Sequence, residues 1–203
     1  MIDFLTMSSS VRGWRKGEEA AAVHEASYSR CDGAVIVEVG VFLGRSTILL
    51  AGARKLRGSG KVYCIDPFDC SGDDYSGPIY KEILAGIGGG SLREHFDRNI
   101  TKAGLTEWVE VHQLTAADAA RNWHDLIDLL LLDGDQSPTG ARQAFDAWVP
   151  HLKRGGVLIL GNSVPRNYAE THDGNYLLAS TELAYPRYVN IRHVGAASIA
   201  IKA

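Results

Sequence analysis

Five strand-length runs that are apolar almost throughout constrain this chain most: "AVIVEV" (34–39), "KVYCID" (61–66), "WVEVHQL" (108–114), "LIDLLLLD" (126–133) and "GVLILG" (156–161). Segments with helical patterning lie between them, at 46–56, 91–103, 116–123 and 139–152. A further helix is expected over 10–30, where Trp14, Ala21, Val23 and Ala26 are interleaved with Glu18, Glu19 and Glu25. A strand that is apolar on both sides belongs in a sheet covered on both faces, and alternation with helices makes that sheet parallel. The last two runs, "RYVNIRHV" (187–194) and "AASIAIKA" (196–203), alternate in polarity and are separated by little more than Gly195, which predicts a hairpin and a final antiparallel strand. The expected fold is α/β: a doubly wound, mostly parallel sheet with a C-terminal antiparallel hairpin. No repeat or linker divides it, so 1–203 reads as one domain, with 1–30 a helical cap and 31–203 the core. The glycine-rich stretch 67–90 is expected to be an irregular loop, of the kind that serves as a lid or is disordered.

A chain of 203 residues with 45% hydrophobic and 22% charged residues can bury an ordinary core. A net charge of −3 carries no basic excess, which argues against a nucleic-acid partner. Cys31, Cys64 and Cys70 have no metal-ligand spacing and read as free thiols in a reducing compartment. No apolar run approaches the ~20 residues needed to span a bilayer. Residues 1–10 lack the basic start and apolar core of a leader, so a cytoplasmic location and no membrane partner are expected.

The turn after the first strand carries the functional signal. The strand ends on Glu38, and Gly40 and Gly44 then flank a turn into a helix that opens with Ser46 and Thr47. Glycine lets a ligand approach the main chain, and a helix start offers free N–H groups. A dinucleotide would require a third glycine position for its pyrophosphate, but Phe42 and Leu43 fill the turn and Glu38 adds a negative charge. These features favour a ligand with an ammonium or hydroxyls near Glu38 and a carboxylate near the helix end. The second strand ends in Asp66, placed to accept both hydroxyls of a ribose, and Phe68 could lie on an adenine face. An adenosine joined to an amino acid without phosphate is S-adenosylmethionine.

With "DLLLLDGDQ" after the fourth run and "LKRGGVLIL" leading into the fifth, the chain resembles the class I S-adenosylmethionine-dependent methyltransferases. Within them it is most similar to the macrocin and novobiocin-sugar type of small-molecule O-methyltransferase. The resemblance implies a seven-stranded sheet, with the donor bound across Glu38, Gly40, Gly44 and Asp66 and released as S-adenosylhomocysteine. It places Thr115 and Ala116 at the adenine. It also implies that Asp133 lies at the donor and binds a divalent ion such as Mg²⁺, and that Asp135 takes the proton from an acceptor hydroxyl. The implied acceptor is a small molecule such as a sugar or secondary metabolite, and the edge strand could support a homodimer. Two departures matter. Gly161 and Asn162 stand where relatives carry two acids or an acid and an amide, so Asp133 with Asn162 would make a poor metal site. Gln136 stands where relatives often carry His. His172, in a polar segment after the fifth strand, lies where acceptors often bind. Two rivals stay open: a fold member that binds the donor without catalysis, and a nicotinamide-dependent oxidoreductase.

Overall fold

A computed structural model describes residues 3–166 and 168–203; Met1, Ile2 and Asn167 lie outside them. Strands β1 (Val35–Val39), β2 (Lys61–Ile65), β3 (Val109–His112), β4 (Ile127–Leu132), β5 (Leu152–Leu160), β6 (Tyr188–Val194) and β7 (Ala197–Lys202) form one seven-stranded sheet in the order β3-β2-β1-β4-β5-β7-β6. The first five strands are mutually parallel, and β7 runs antiparallel to both β5 and β6. Each strand coincides with an apolar run to within two residues, except that β5 begins at Leu152 rather than near 156. Helices α1 (Phe4–Ser9), α2 (Gly17–Tyr28), α3 (Arg45–Arg57) and α5 (Leu92–Lys102) cover one face, and α6 (Ala116–Arg121), α7 (Pro138–Trp148) and α8 (Gly174–Glu182) the other. Trp123 and Trp148 are buried in the second layer. Among the described residues no helix is long and apolar enough to cross a membrane.

Two expectations are corrected. The helix expected over 10–30 is present only as α2; residues 10–16 form a turn that joins it to α1, which lies before the expected span. The turn is held by Arg45, whose Nη1 donates to Val11 O (2.9 Å) and whose Nε donates to Arg15 O (2.6 Å). Gly17, at φ +51°, then takes the left-handed conformation that starts α2. The loop expected over 67–90 contains a helix, α4 (Ser76–Gly86). Asp73 fastens its start, accepting from the Tyr75 and Ser76 N–H groups at 3.0 and 2.8 Å. Glycines on either side of α4 mask its apolar spacing at Ile79, Tyr80, Ile83 and Leu84.

The two-residue period of β1 puts Ile36 and Glu38 on the α3 face and Val37 and Val39 on the other. Glu38 is fully buried, and its carboxylate accepts from the hydroxyls of Ser46 and Thr47 in the first turn of α3, the Thr47 bond at 2.6 Å. Burial pushes its pKa up from 4.5 to about 7, against the pull of the two hydroxyls and of Arg15. Between those values the native state holds a proton that the unfolded chain has released. Stability therefore falls as pH rises from about 4.5 to about 7.

Gly52, inside α3, is a packing requirement. A Cβ there would lie 2.3 Å from Cγ of Phe4, whose ring nests on the helix backbone. Gly52→Ala, a change that in an exposed helix gains up to ~1 kcal/mol, is expected to cost about 1–3 kcal/mol here, read from urea midpoints. A more stable variant would contradict the packing. For Glu38→Gln, the advantage of the variant over wild type is expected to grow as pH is raised from 5 to 7.5. An advantage that shrinks over that range would contradict a raised Glu38 pKa.

Candidate active site

The chain winds outward from β1 through β2 to β3, then returns to place β4 against the other side of β1. At such a switch point the connections leave in opposite directions and open a crevice beyond the strand ends. A cavity of about 710 Å³ lies there, a size suited to small molecules. The turns after β1, β2, β4 and β5 form its floor, and the 12–15 segment and α4 form its roof.

At one end Gly40 stands against the turn after β4. A Cβ on it would lie 2.5 Å from Gly134 Cα and 2.6 Å from the Asp133 carbonyl, so only glycine allows the two turns to meet. The loop beyond Gly40 is braced by Asp66. Its Oδ2 accepts from the Val41 and Phe42 N–H groups (2.9 and 3.1 Å), and its Oδ1 accepts from Phe68 N–H (2.7 Å). A carboxylate has about four lone-pair sites, so one remains, on Oδ1, for a ligand hydroxyl rather than the two expected from sequence. Burial raises the Asp66 pKa, against the pull of its three backbone donors. Thr115 and Ala116 line the wall. Thr115 Oγ1 accepts from Asp118 N–H (3.1 Å) and so caps α6.

Ser46 reaches the edge of the cavity, but Glu38, Gly44, Thr47 and Phe68 do not line it. Gly44 is the left-handed N-cap of α3 (φ +87°), and a Cβ there would lie 3.1 Å from the Phe96 ring. Phe68 turns edge-on to Phe96 (5.4 Å between centroids) with the Arg93 guanidinium over it, so its ring belongs to the core rather than to the cavity wall.

At the other end Asp133 is already partnered. Its Oδ2 accepts from Arg15 Nη2 (2.7 Å) and its Oδ1 from Gln136 Nε2 (3.1 Å). Arg15 is only 4% exposed and is also paired with Glu19. Burial pushes the Asp133 pKa up, and Arg15 offsets this in part. A Cβ on Gly161 would fall 1.8 Å from Asp133 Oδ1, so no side chain fits there. Asn162, left-handed at φ +47°, offers its amide to His172. A hard divalent cation needs several oxygen ligands. Here one carboxylate is engaged by two N–H donors, and a single amide stands beside it. The residues present do not fit a divalent ion, and among the described residues no group of three His, Cys, Asp or Glu side chains is gathered to hold one. Asp135 lines the cavity, but its Oδ1 accepts from Ser137 N–H (2.8 Å) and its carboxylate folds over Gly140 in the first turn of α7.

His172 and Asp73 form the remaining polar pair. His172 Nδ1 lies 3.1 Å from Asp73 Oδ2, and its Nε2 lies 3.5 Å from Asn162 Nδ2. The Asp73 side chain has no solvent exposure. Burial works against its charge, but Ser76 N–H, the His172 ring and the Ser76 hydroxyl outweigh that and hold its pKa below the usual value. With a carboxylate at Nδ1, the neutral ring carries its proton there and presents the Nε2 lone pair as an acceptor, with the Asn162 amide at the outer limit of hydrogen-bond distance. Trp14, Phe42 and Tyr80 meet over the cavity, with centroids 4.9–5.8 Å apart, and so bring the 12–15 segment, the glycine turn and α4 together. Sequence reading did not single out Arg15 or Asp73, whose partners lie 118 and 99 residues away.

The profile of a methyltransferase domain family matches residues 37–163, more than half of the chain. Many solved structures share the fold, and three illustrate it. A SAM-dependent O-methyltransferase from Thermotoga maritima is 17% identical with a TM-score of 0.63, over 98% of this chain and 71% of that one. The O-methyltransferase NovP is 14% identical with a TM-score of 0.67, over 90% and 78% of the two chains. An rRNA methylase from Streptococcus thermophilus is 14% identical with a TM-score of 0.59, over 89% and 94%. The chain belongs to this methyltransferase family: it is a class I methyltransferase, dependent on S-adenosylmethionine.

Proposed function

We propose that this methyltransferase acts on a hydroxyl oxygen of a small molecule, with His172 as the base. The observation that carries this reading is the His172–Asp73 pair, a ring held by a buried carboxylate in the wall of the same cavity that Asp66 and Gly40 line. In this reading the ribose meets the free lone pair of Asp66, and the adenine lies along Pro67, Thr115 and Ala116. The amino-acid carboxylate lies at the start of α3, beside Arg45 and Ser46, where no side chain caps the first-turn N–H groups. Glu38, Gly44 and Thr47 act from behind by fixing the β1–α3 turn.

Bound there, S-adenosylmethionine supplies a sulfonium methyl group. His172 Nε2 takes the acceptor proton as the oxygen attacks, and Asp73 stabilises the imidazolium that forms. A base so placed is worth about 10²–10⁴-fold in rate. Asp135 is the second candidate, its Oδ1 already accepting from Ser137 N–H. A small-molecule acceptor is favoured over RNA by the net charge of −3.

Calorimetry with S-adenosylhomocysteine is expected to show binding that Asp66→Ala weakens by about tenfold or more (~1.4 kcal/mol). Unchanged affinity in that variant would contradict the donor placement. In transfer from a radiolabelled donor to a panel of phenols and sugars, His172→Asn is expected to slow turnover by about 10²–10⁴-fold while leaving product affinity intact. A larger loss in Asp135→Asn than in His172→Asn would move the base to Asp135.

A further inference from the structure

On the reading of this cavity as a methyltransferase site, we infer that Arg15 is its resident cation. The guanidinium stands where a divalent ion would have to stand beside Asp133, so neither donor binding nor transfer draws on such an ion. Arg15 lies between two carboxylates, Glu19 and Asp133, and is buried. It is held there independently, because Arg45 grips the backbone on both sides of Gly13 through Val11 O and Arg15 O. The space is also closed from β5: a Cβ on residue 161 would lie 1.8 Å from Asp133 Oδ1 and 2.9 Å from Arg15 Nη2. The second oxygen of Asp133 faces an N–H donor of Gln136. A divalent ion at Asp133 would lie against the buried Arg15 guanidinium, and that like-charge contact disfavours it there.

The guanidinium also has capacity to spare. Nη1 and Nη2 each make one bond, and Nε is buried with no hydrogen-bond partner although Arg15 lines the cavity. Unpaired, charged N–H donors in a low-dielectric cavity stabilise oxygen that gains negative charge. An acceptor oxygen gains such charge as His172 removes its proton. The proton goes to His172, the oxygen forms its bond to the methyl carbon, and the C–S bond breaks with its electron pair left on sulfur. Arg15 takes no atom in this exchange.

The test is a titration of the protein with Mn²⁺ followed by electron paramagnetic resonance, with no donor or acceptor present. Wild type is expected to leave millimolar Mn²⁺ free. Arg15→Ala, which leaves Glu19 and Asp133 facing each other without a cation, is expected to bind Mn²⁺ at least about tenfold more tightly than wild type. Arg15→Lys, which keeps a cation, is expected to behave as wild type does. Wild-type affinity for S-adenosylhomocysteine and wild-type turnover are expected to be the same in EDTA and in Mg²⁺. Mn²⁺ binding by wild type that Asp133→Asn abolishes would overturn the assignment. So would transfer that stops in EDTA and returns with Mg²⁺, or a folded Arg15→Ala protein that gains no Mn²⁺ affinity. Failure of the methyltransferase reading is a separate result, seen as absent S-adenosylhomocysteine binding whatever the metal titration gives.

Discussion

The close meeting of two turns at Gly40 sets everything built at this site. With no side chain between them, the turn after β1 lies on Asp133 and Gly134 after β4. The carbonyl of Val39 accepts from Asp133 N–H at 2.9 Å, and Gly40 N–H donates to Ile65 O at the same distance. Three strand ends are thereby locked together at the switch point. That lock fixes the loop that Asp66 braces, the position of Asp133 beneath Arg15, and the floor on which a ligand lies. Any side chain at residue 40 would separate the turns and disperse these groups together.

Carboxylates gather at the strand ends and at the start of α4, and each has a definite partner. Glu38 is satisfied by two hydroxyls, Asp66 by three backbone N–H groups, Asp133 by Arg15 and Gln136, and Asp73 by His172, Ser76 and backbone N–H. Unpaired, each would carry a large desolvation cost. Paired, they form a scaffold whose polarity is set before a ligand arrives, and such preorganisation favours charge development in a low-dielectric site. Among the described residues of the cavity wall, capacity for a ligand remains at one lone pair of Asp66, at Nε2 of His172 beside the Asn162 amide, at the unpaired Gln136 Oε1 and at the unpaired N–H groups of Arg15.

The strands, their order of appearance and the antiparallel ending were legible because apolar runs and alternation are local signals. The turn at Gly40 was legible because a glycine after a buried strand has few other uses. The role of Glu38 was not. A carboxylate ending an apolar strand reads as a ligand contact, whereas Glu38 serves hydroxyls eight and nine residues on, a pairing that only packing reveals. Helix α4 was hidden by its glycine flanks. The break near Gly13 was hidden because the group that stabilises it, Arg45, lies about thirty residues away in the chain. Arg15–Asp133 and Asp73–His172 share that difficulty: sequence separation leaves no periodic trace of a contact made by the tertiary fold.

The most direct test of the central claim is a crystal structure with S-adenosylhomocysteine bound. The account requires the adenosine at the Asp66 end, with a ribose hydroxyl in hydrogen-bond reach of Oδ1, and the sulfur directed toward the part of the cavity lined by Asp133 and His172. Adenosine seated against Arg15 and His172, or product bound outside this cavity, would contradict it.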